Sequence, residues 1–227
     1  ISDSSTRGLA VSNNSGALAI NGTLSIDNSS QEGILIDGNT TTAIVEVTGP
    51  TTVTNSGATG VLIQGAVADI ALGDLTVATT GTDGLALNLN QAGSFTAETT
   101  TISDTAGNGI SVTNNQGNAT FGDTTVTNAG TDGININASS GSYTFNGLDI
   151  TTQNGSGLVA ETVGLVSVTG PGNSINATGG AALDIDASTI DMTFDALAST
   201  NSTNEGLLLN NVAGAGASNG LQVTGQT

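Results

Sequence analysis

Gly133-Ile134-Asn135-Ile136-Asn137-Ala138-Ser139-Ser140-Gly141-Ser142-Tyr143-Thr144-Phe145-Asn146-Gly147-Leu148-Asp149-Ile150-Thr151-Thr152-Gln153-Asn154-Gly155-Ser156 is one unit of a pattern that fills this chain. Ile134 and Ile136 alternate with Asn135, which places both isoleucines on one face of a strand. A polar bend, 137–141, leads to a second alternating run, Tyr143-Thr144-Phe145. Asn146-Gly147 is a turn signal, and Leu148-Asp149-Ile150 is a third strand whose apolar side chains share a side. Residues 151–156 return the chain to the next glycine. Three short strands and three bends describe a roughly triangular coil.

The opening phrase of that unit, glycine-apolar-any-apolar, recurs at Gly8-Leu9-Ala10-Val11, Gly33-Ile34-Leu35-Ile36, Gly60-Val61-Leu62-Ile63, Gly84-Leu85-Ala86-Leu87, Gly109-Ile110-Ser111-Val112, Gly157-Leu158-Val159-Ala160 and Gly206-Leu207-Leu208-Leu209, with Ala182-Leu183-Asp184-Ile185 keeping the beat. Successive starts are 25, 27, 24, 25, 24, 24, 25 and 24 residues apart. So regular a period marks a solenoid, whose repeats bury their apolar residues by stacking on one another. The second strand is expected to point inward at Leu18/Ile20, Ala43/Val45, Ile70/Leu72, Ala119/Phe121, Tyr143/Phe145 and Met192/Phe194. The third is expected to do so at Leu24/Ile26, Leu75/Val77, Thr124/Val126 and Leu148/Ile150, with Val53 and Ile102 at the second position. Coils one inter-strand spacing apart, roughly 4.8 Å, place Phe121 over Phe145 inside. Gly and Asn in the corners supply left-handed backbone angles. No stretch carries a helical period, and Gly, Thr, Ser, Asn and Val disfavour helix. The reading is all-β: a parallel β-helix with three strands per coil, about 24–25 residues per coil and roughly nine coils. Residues 1–212 form the helix, and 213–227, with the interrupting run Ala213-Gly214-Ala215-Gly216-Ala217, an irregular terminal coil or junction. Right-handedness follows the preference of parallel crossovers.

Charge excludes several functions. One cation, Arg7, stands against 19 carboxylates, and there is no histidine or cysteine. Nucleic-acid binding needs several cationic side chains to neutralise phosphates, and attachment to anionic lipid needs a basic patch. Ser-His-Asp chemistry, thiolate zinc sites and disulfides are ruled out by the missing residue types. No apolar run is long enough for a membrane-spanning helix, so membrane insertion is not expected. Ile1-Ser2-Asp3 is not a signal peptide, and a secreted parent would carry its signal elsewhere.

These features together resemble the right-handed parallel β-helix repeat regions of large bacterial surface adhesins and autotransporter passengers, a pectin-lyase-like fold. Two dozen residues per coil, Asn/Gly/Thr corners and absent cysteine carry the resemblance from about Gly8 to Asn210. It implies an extracellular location on a bacterial cell surface and a segment of a longer rod. The function it implies is a non-enzymatic structural or adhesive module. Partners would be the chain itself, by head-to-tail or lateral assembly, or a surface glycan. Polysaccharide lyases on this fold combine calcium-binding acids with an Arg or Lys base, and Arg7 stands alone. Glycoside hydrolysis needs two carboxylates at a set separation, but the aromatic surface sugars favour is lacking. An enzyme therefore ranks last.

The alternative is a ligand-binding solenoid for glycan, calcium or ice. Asp74, Glu98 and Asp123 precede the third strand on three consecutive coils, where stacked carboxylates would favour calcium. Asp184, Asp186, Asp191 and Asp195 form a second acidic group. Thr52/Thr54, Thr101/Ser103 and Thr125/Thr127 point outward as a Thr-x-Thr array, broken by Ala78 and Asp149. Leu35, Leu62 and Ala86 occupy outward positions on adjacent coils, and an exposed apolar stripe there would be a contact surface. No cofactor is implied beyond calcium.

Overall fold

The computed structural model describes residues 1–40, 44–88, 93–216 and 220–225. They form strands and no helix, wound into a parallel β-solenoid of about nine turns, consistent with a right-handed parallel β-helix. The repeated phrase builds the first sheet. Leu9, Ile34, Val61, Leu85, Ile110, Ile134, Leu158, Leu183 and Leu207 pair in one unbroken parallel row. From Ile34 to Leu183 every member of that row is buried.

The second sheet stacks two inward rows. One runs Leu18, Val45, Ile70, Phe95, Ala119, Tyr143, Val166 and Ile190. The other runs Ile20, Val47, Leu72, Ala97, Phe121, Phe145, Val168, Met192 and Leu221. Phe121 and Phe145 lie face to face, 4.8 Å apart and 6° from parallel. Phe95 belongs to the other row, so its ring meets Phe121 at 5.3 Å and a 47° tilt. The ladder register shifts at two places. On the second coil Val45, inward as expected, pairs with Leu18 and Val47 with Ile20; Ala43 lies outside the described residues. Near the far end Met192 and Phe194 are buried as expected, but Ile190 and Met192 continue the rows of Val166 and Val168, and Phe194 lies opposite Val223. The cause is corner length: the 27-residue coil from Gly33 has a longer first corner, and the coil from Ala182 a shorter one. Ala213–Gly214 and Leu221–Val223 both pair with the strand Thr189–Phe194, so ladder pairing continues past residue 212; Ala217 lies outside the described residues.

The third sheet aligns Ile26, Val53, Val77, Ile102, Val126, Ile150, Ile175 and Leu197. Its first inward row contains buried Thr51 and Thr100, whose hydroxyls have no hydrogen-bond partner. β-Branched residues suit both the pleat and this narrow interior.

The repeated glycine has a steric reason. A Cβ on Gly133 would overlap Ile150 Cγ2 and lie 2.7 Å from the Gly157 carbonyl oxygen; Gly33, Gly60, Gly84 and Gly109 meet Val53, Val77, Ile102 and Val126 in the same way. The first and third sheets close on each other only where a side chain is missing. The left-handed corner positions before these glycines are Asn28, Asn55, Thr79, Asp104 and Asn128, with φ between 54° and 59°. Gly57, Gly81 and Gly130, expected to supply those angles, do not have positive φ. They leave room for the carbonyls of Ser30, Gly57 and Ala106 on the coil before.

Candidate functional site

The first sheet's outer face carries the chain's most concentrated chemistry. Its central row reads Ala10, Leu35, Leu62, Ala86, Ser111, Asn135, Val159, Asp184 and Leu208. Beside it, the residue before each repeat start gives Arg7, Glu32, Thr59, Asp83, Asn108, Asp132, Ser156, Ala181 and Glu205. On the other side run Ser12, Asp37, Gln64, Asn88, Thr113, Asn137, Glu161, Asp186 and Asn210.

Leu35, Leu62 and Ala86 do stack in register, but the exposed stripe expected of them is not there. Leu35 and Ala86 are buried, and Leu62 is half-buried. They sit low between the two flanking polar rows, so the outer face is sunken rather than flat.

Acids gather at the other end of this face. A hollow of about 260 Å³ is lined by Asp132, Asp184, Glu205, Ser202 and Leu208 among others. A second, of about 160 Å³, shares Asp184 and Leu208 and adds Glu161 and Asp186. Asp184 holds its proton more tightly than an ordinary aspartate, first through burial and then through the negative charges of Asp132, Asp186, Glu161 and Glu205. Several neighbours are engaged locally. Asp132 Oδ1 accepts from the Ser156 amide at 2.9 Å and Oδ2 from Asn135 Nδ2 at 2.8 Å. Asn137 Nδ2 donates to Glu161 at 3.0 Å, and Asn210 Nδ2 to Asp186 at 3.0 Å. Further down the face, Asp83 is also shifted up by burial, although the Asn108 amide donates to it at 2.8 Å. Arg7 Nε pairs with Glu32 Oε2 at 2.6 Å.

The acidic group named from sequence divides here. Asp184 and Asp186 lie on the first sheet, Asp191 is on the second and Asp195 follows it. Their companions are instead Asp132, Glu161 and Glu205, which are far away in sequence. The signal was available: each stands at a fixed offset from its repeat start, and aligning the units by that start puts them together.

The carboxylate column at Asp74, Glu98 and Asp123 is interrupted. Thr99, not Glu98, pairs with both Asp74 and Asp123. Thr99 Oγ1 donates to Asp74 Oδ1 at 2.7 Å, so a hydroxyl occupies the place where the middle acid was expected. Among the described residues no group of three metal-ligating side chains is assembled. The threonine array keeps register over four coils, Thr52, Thr76, Thr101 and Thr125, and ends at Asp149. Its companion row is Thr54, Ala78, Ser103, Thr127 and Thr151.

No family model, curated protein or solved structure matches this chain.

Proposed function

We propose that the chain is a rigid, acidic, non-enzymatic rod segment of a large secreted bacterial surface protein, which projects or carries adhesive regions away from the cell. The observation that carries this reading is the unbroken first-sheet row from Leu9 to Leu207, nine rungs in register. At the spacing of parallel strands, its ends stand about 38 Å apart. Bending such a rod would open ladder hydrogen bonds on one side and compress a close-packed interior on the other. A net charge of −18 keeps the outside soluble and repels other polyanions.

Antibody raised against the folded chain tests the placement. It is expected to label intact cells of the source bacterium. Labelling that appears only after the envelope is permeabilised would reject the surface role.

The acidic hollow favours a second reading, a site for calcium or a glycan on the first-sheet face. Calcium raising the melting temperature of the chain, with the rise lost in Asp184→Asn, would transfer the function to that reading. An unchanged melting temperature in calcium and in candidate oligosaccharides would leave the rod alone.

A further inference from the structure

The outward face of the third sheet carries two adjacent rows in strict register. One reads Thr52, Thr76, Thr101 and Thr125, the other Thr54, Ala78, Ser103 and Thr127. Rungs repeat at about 4.8 Å along the ladder, and alternate residues at about 6.6 Å along each strand. Together they form a rectangular net of hydroxyl and methyl groups. Stacking of each coil on the next holds the sheet against the twist that open sheets adopt, and β-branched threonine is stiff at χ1. The net is therefore fixed before anything meets it.

None of these eight side chains is charged, in a chain with 19 carboxylates. Acids border the net instead. Asp27 ends one row and Asp149 the other, while Asp74 and Asp123 stand on one side and Asp104 on the opposite side.

Hydrogen bonding draws the same boundary. At the border, side chains pair across rungs: Thr99 Oγ1 donates to Asp74 at 2.7 Å, Asn128 Nδ2 to Asp104 at 3.0 Å and Thr54 Oγ1 to Asp27 at 2.7 Å. Among the described residues, the hydroxyls of Thr52, Thr76, Thr101, Thr125, Ser103 and Thr127 bond to no protein group. They are left to water, and Thr76 and Thr101 at the centre are exposed.

Water held by these hydroxyls is thus placed on a lattice with two fixed repeats. A dissolved sugar, peptide or ion touches few points of such a lattice, and the net has no aromatic ring or charge to hold one. A surface that itself repeats gains at every point. Ice is such a surface, since its oxygens recur in rows at spacings close to those of the net. A single hydroxyl–water bond is weak, but an array ordered in advance makes many at once with little further loss of freedom.

We propose that this face of the third sheet adsorbs to ice, with Thr76 and Thr101 at the centre of the contact. Adsorption needs only the stacked rungs and goes beyond the rod role, on which it does not depend.

Two measurements on the intact chain test it: the gap between melting and freezing of a single seeded ice crystal, and uptake into slowly growing ice. Both are expected in the wild type, with a faceted crystal in place of a disc. T76Y/T101Y, which sets two rings on the net at exposed positions, is expected to abolish the gap and the uptake. T96Y/T120Y places the same change at exposed positions on adjacent rungs of the second sheet and is expected to leave both intact. T101Y alone, a smaller change, should weaken both while circular dichroism stays that of the wild type. Absence of gap and uptake in the wild type overturns the proposal, and so does equal loss in T96Y/T120Y. Neither result touches the surface labelling that decides the rod reading.

Discussion

Gly133-Ile134-Asn135-Ile136 and Gly206-Leu207-Leu208-Leu209 are the same phrase in two settings. In the middle of the solenoid, both inward isoleucines have no exposed surface; on the coil that starts at Gly206, the two equivalent leucines are nearly half exposed. Local sequence is equally favourable at both places, so the difference comes from neighbours. Ile134 is clasped between Ile110 and Leu158, whereas Leu207 pairs with Leu183 below. In a solenoid, a side chain's contribution is set by how many coils cover it.

That contrast is sharpest for truncation. Ile134→Ala is expected to cost about 2–5 kcal/mol, the usual range for emptying a packed interior. Leu207→Ala should cost under about 1 kcal/mol, since much of that side chain never leaves water. Urea unfolding of the two variants decides the matter; equal losses would mean that the coil from Gly206 is covered as thoroughly as the one from Gly133.

The glycines offer a second contrast, somewhat smaller. Gly133→Ala forces a methyl group against Ile150 and the Gly157 carbonyl and should destabilise by about 1–3 kcal/mol. Gly206→Ala meets nothing nearer than Ser199 Cβ at 3.3 Å and should be close to neutral. A neutral Gly133→Ala would show that the first and third sheets are not in close contact.

The weakest expected effect separates the acidic end of the first-sheet face from the rest. Burial and four neighbouring acids make Asp184 hold its proton more tightly in the fold than in the unfolded chain. The protonated group therefore favours the native state, and that contribution is lost as pH rises past its native pKa. Asp184→Asn should raise stability slightly at neutral pH and flatten the gain seen on acidification. Asp27 has the opposite sign, since donation from Thr54 and then Asn55 lowers its pKa. Asp27→Asn should leave that gain in place, and parallel pH curves for wild type and Asp184→Asn would contradict the assignment.

The rows were legible in sequence because two periods superimpose: alternation of two along a strand and about 24 between coils. That was enough to place Ile134 beneath Leu158 and Phe121 beneath Phe145. Corner lengths were harder, because bends absorb residues freely, and for that reason the stacked rows run through Val45/Val47 and Ile190/Met192, one step along the strand from where equal corners would put them. The glycines were misread in part because conformational freedom and small size leave the same letter; only neighbours such as Ile150 reveal which was needed. Burial of Leu35 and Ala86 depends on the relief of a whole face, which alternation along one strand does not encode. Likewise, the meeting of Asp132, Glu161, Asp184 and Glu205 required aligning four coils at once.

The central claim, that successive coils stack in register along one axis, is tested most directly by spin-label distances on one outward row of the third sheet. Labels at Ser25 paired with Asp149 or Ala196 span five or seven steps of that row. Pulsed resonance is expected to give narrow distributions whose means differ by about 10 Å, two parallel-strand spacings. Equal distances for the two pairs, or broad distributions, would contradict the stacked spiral.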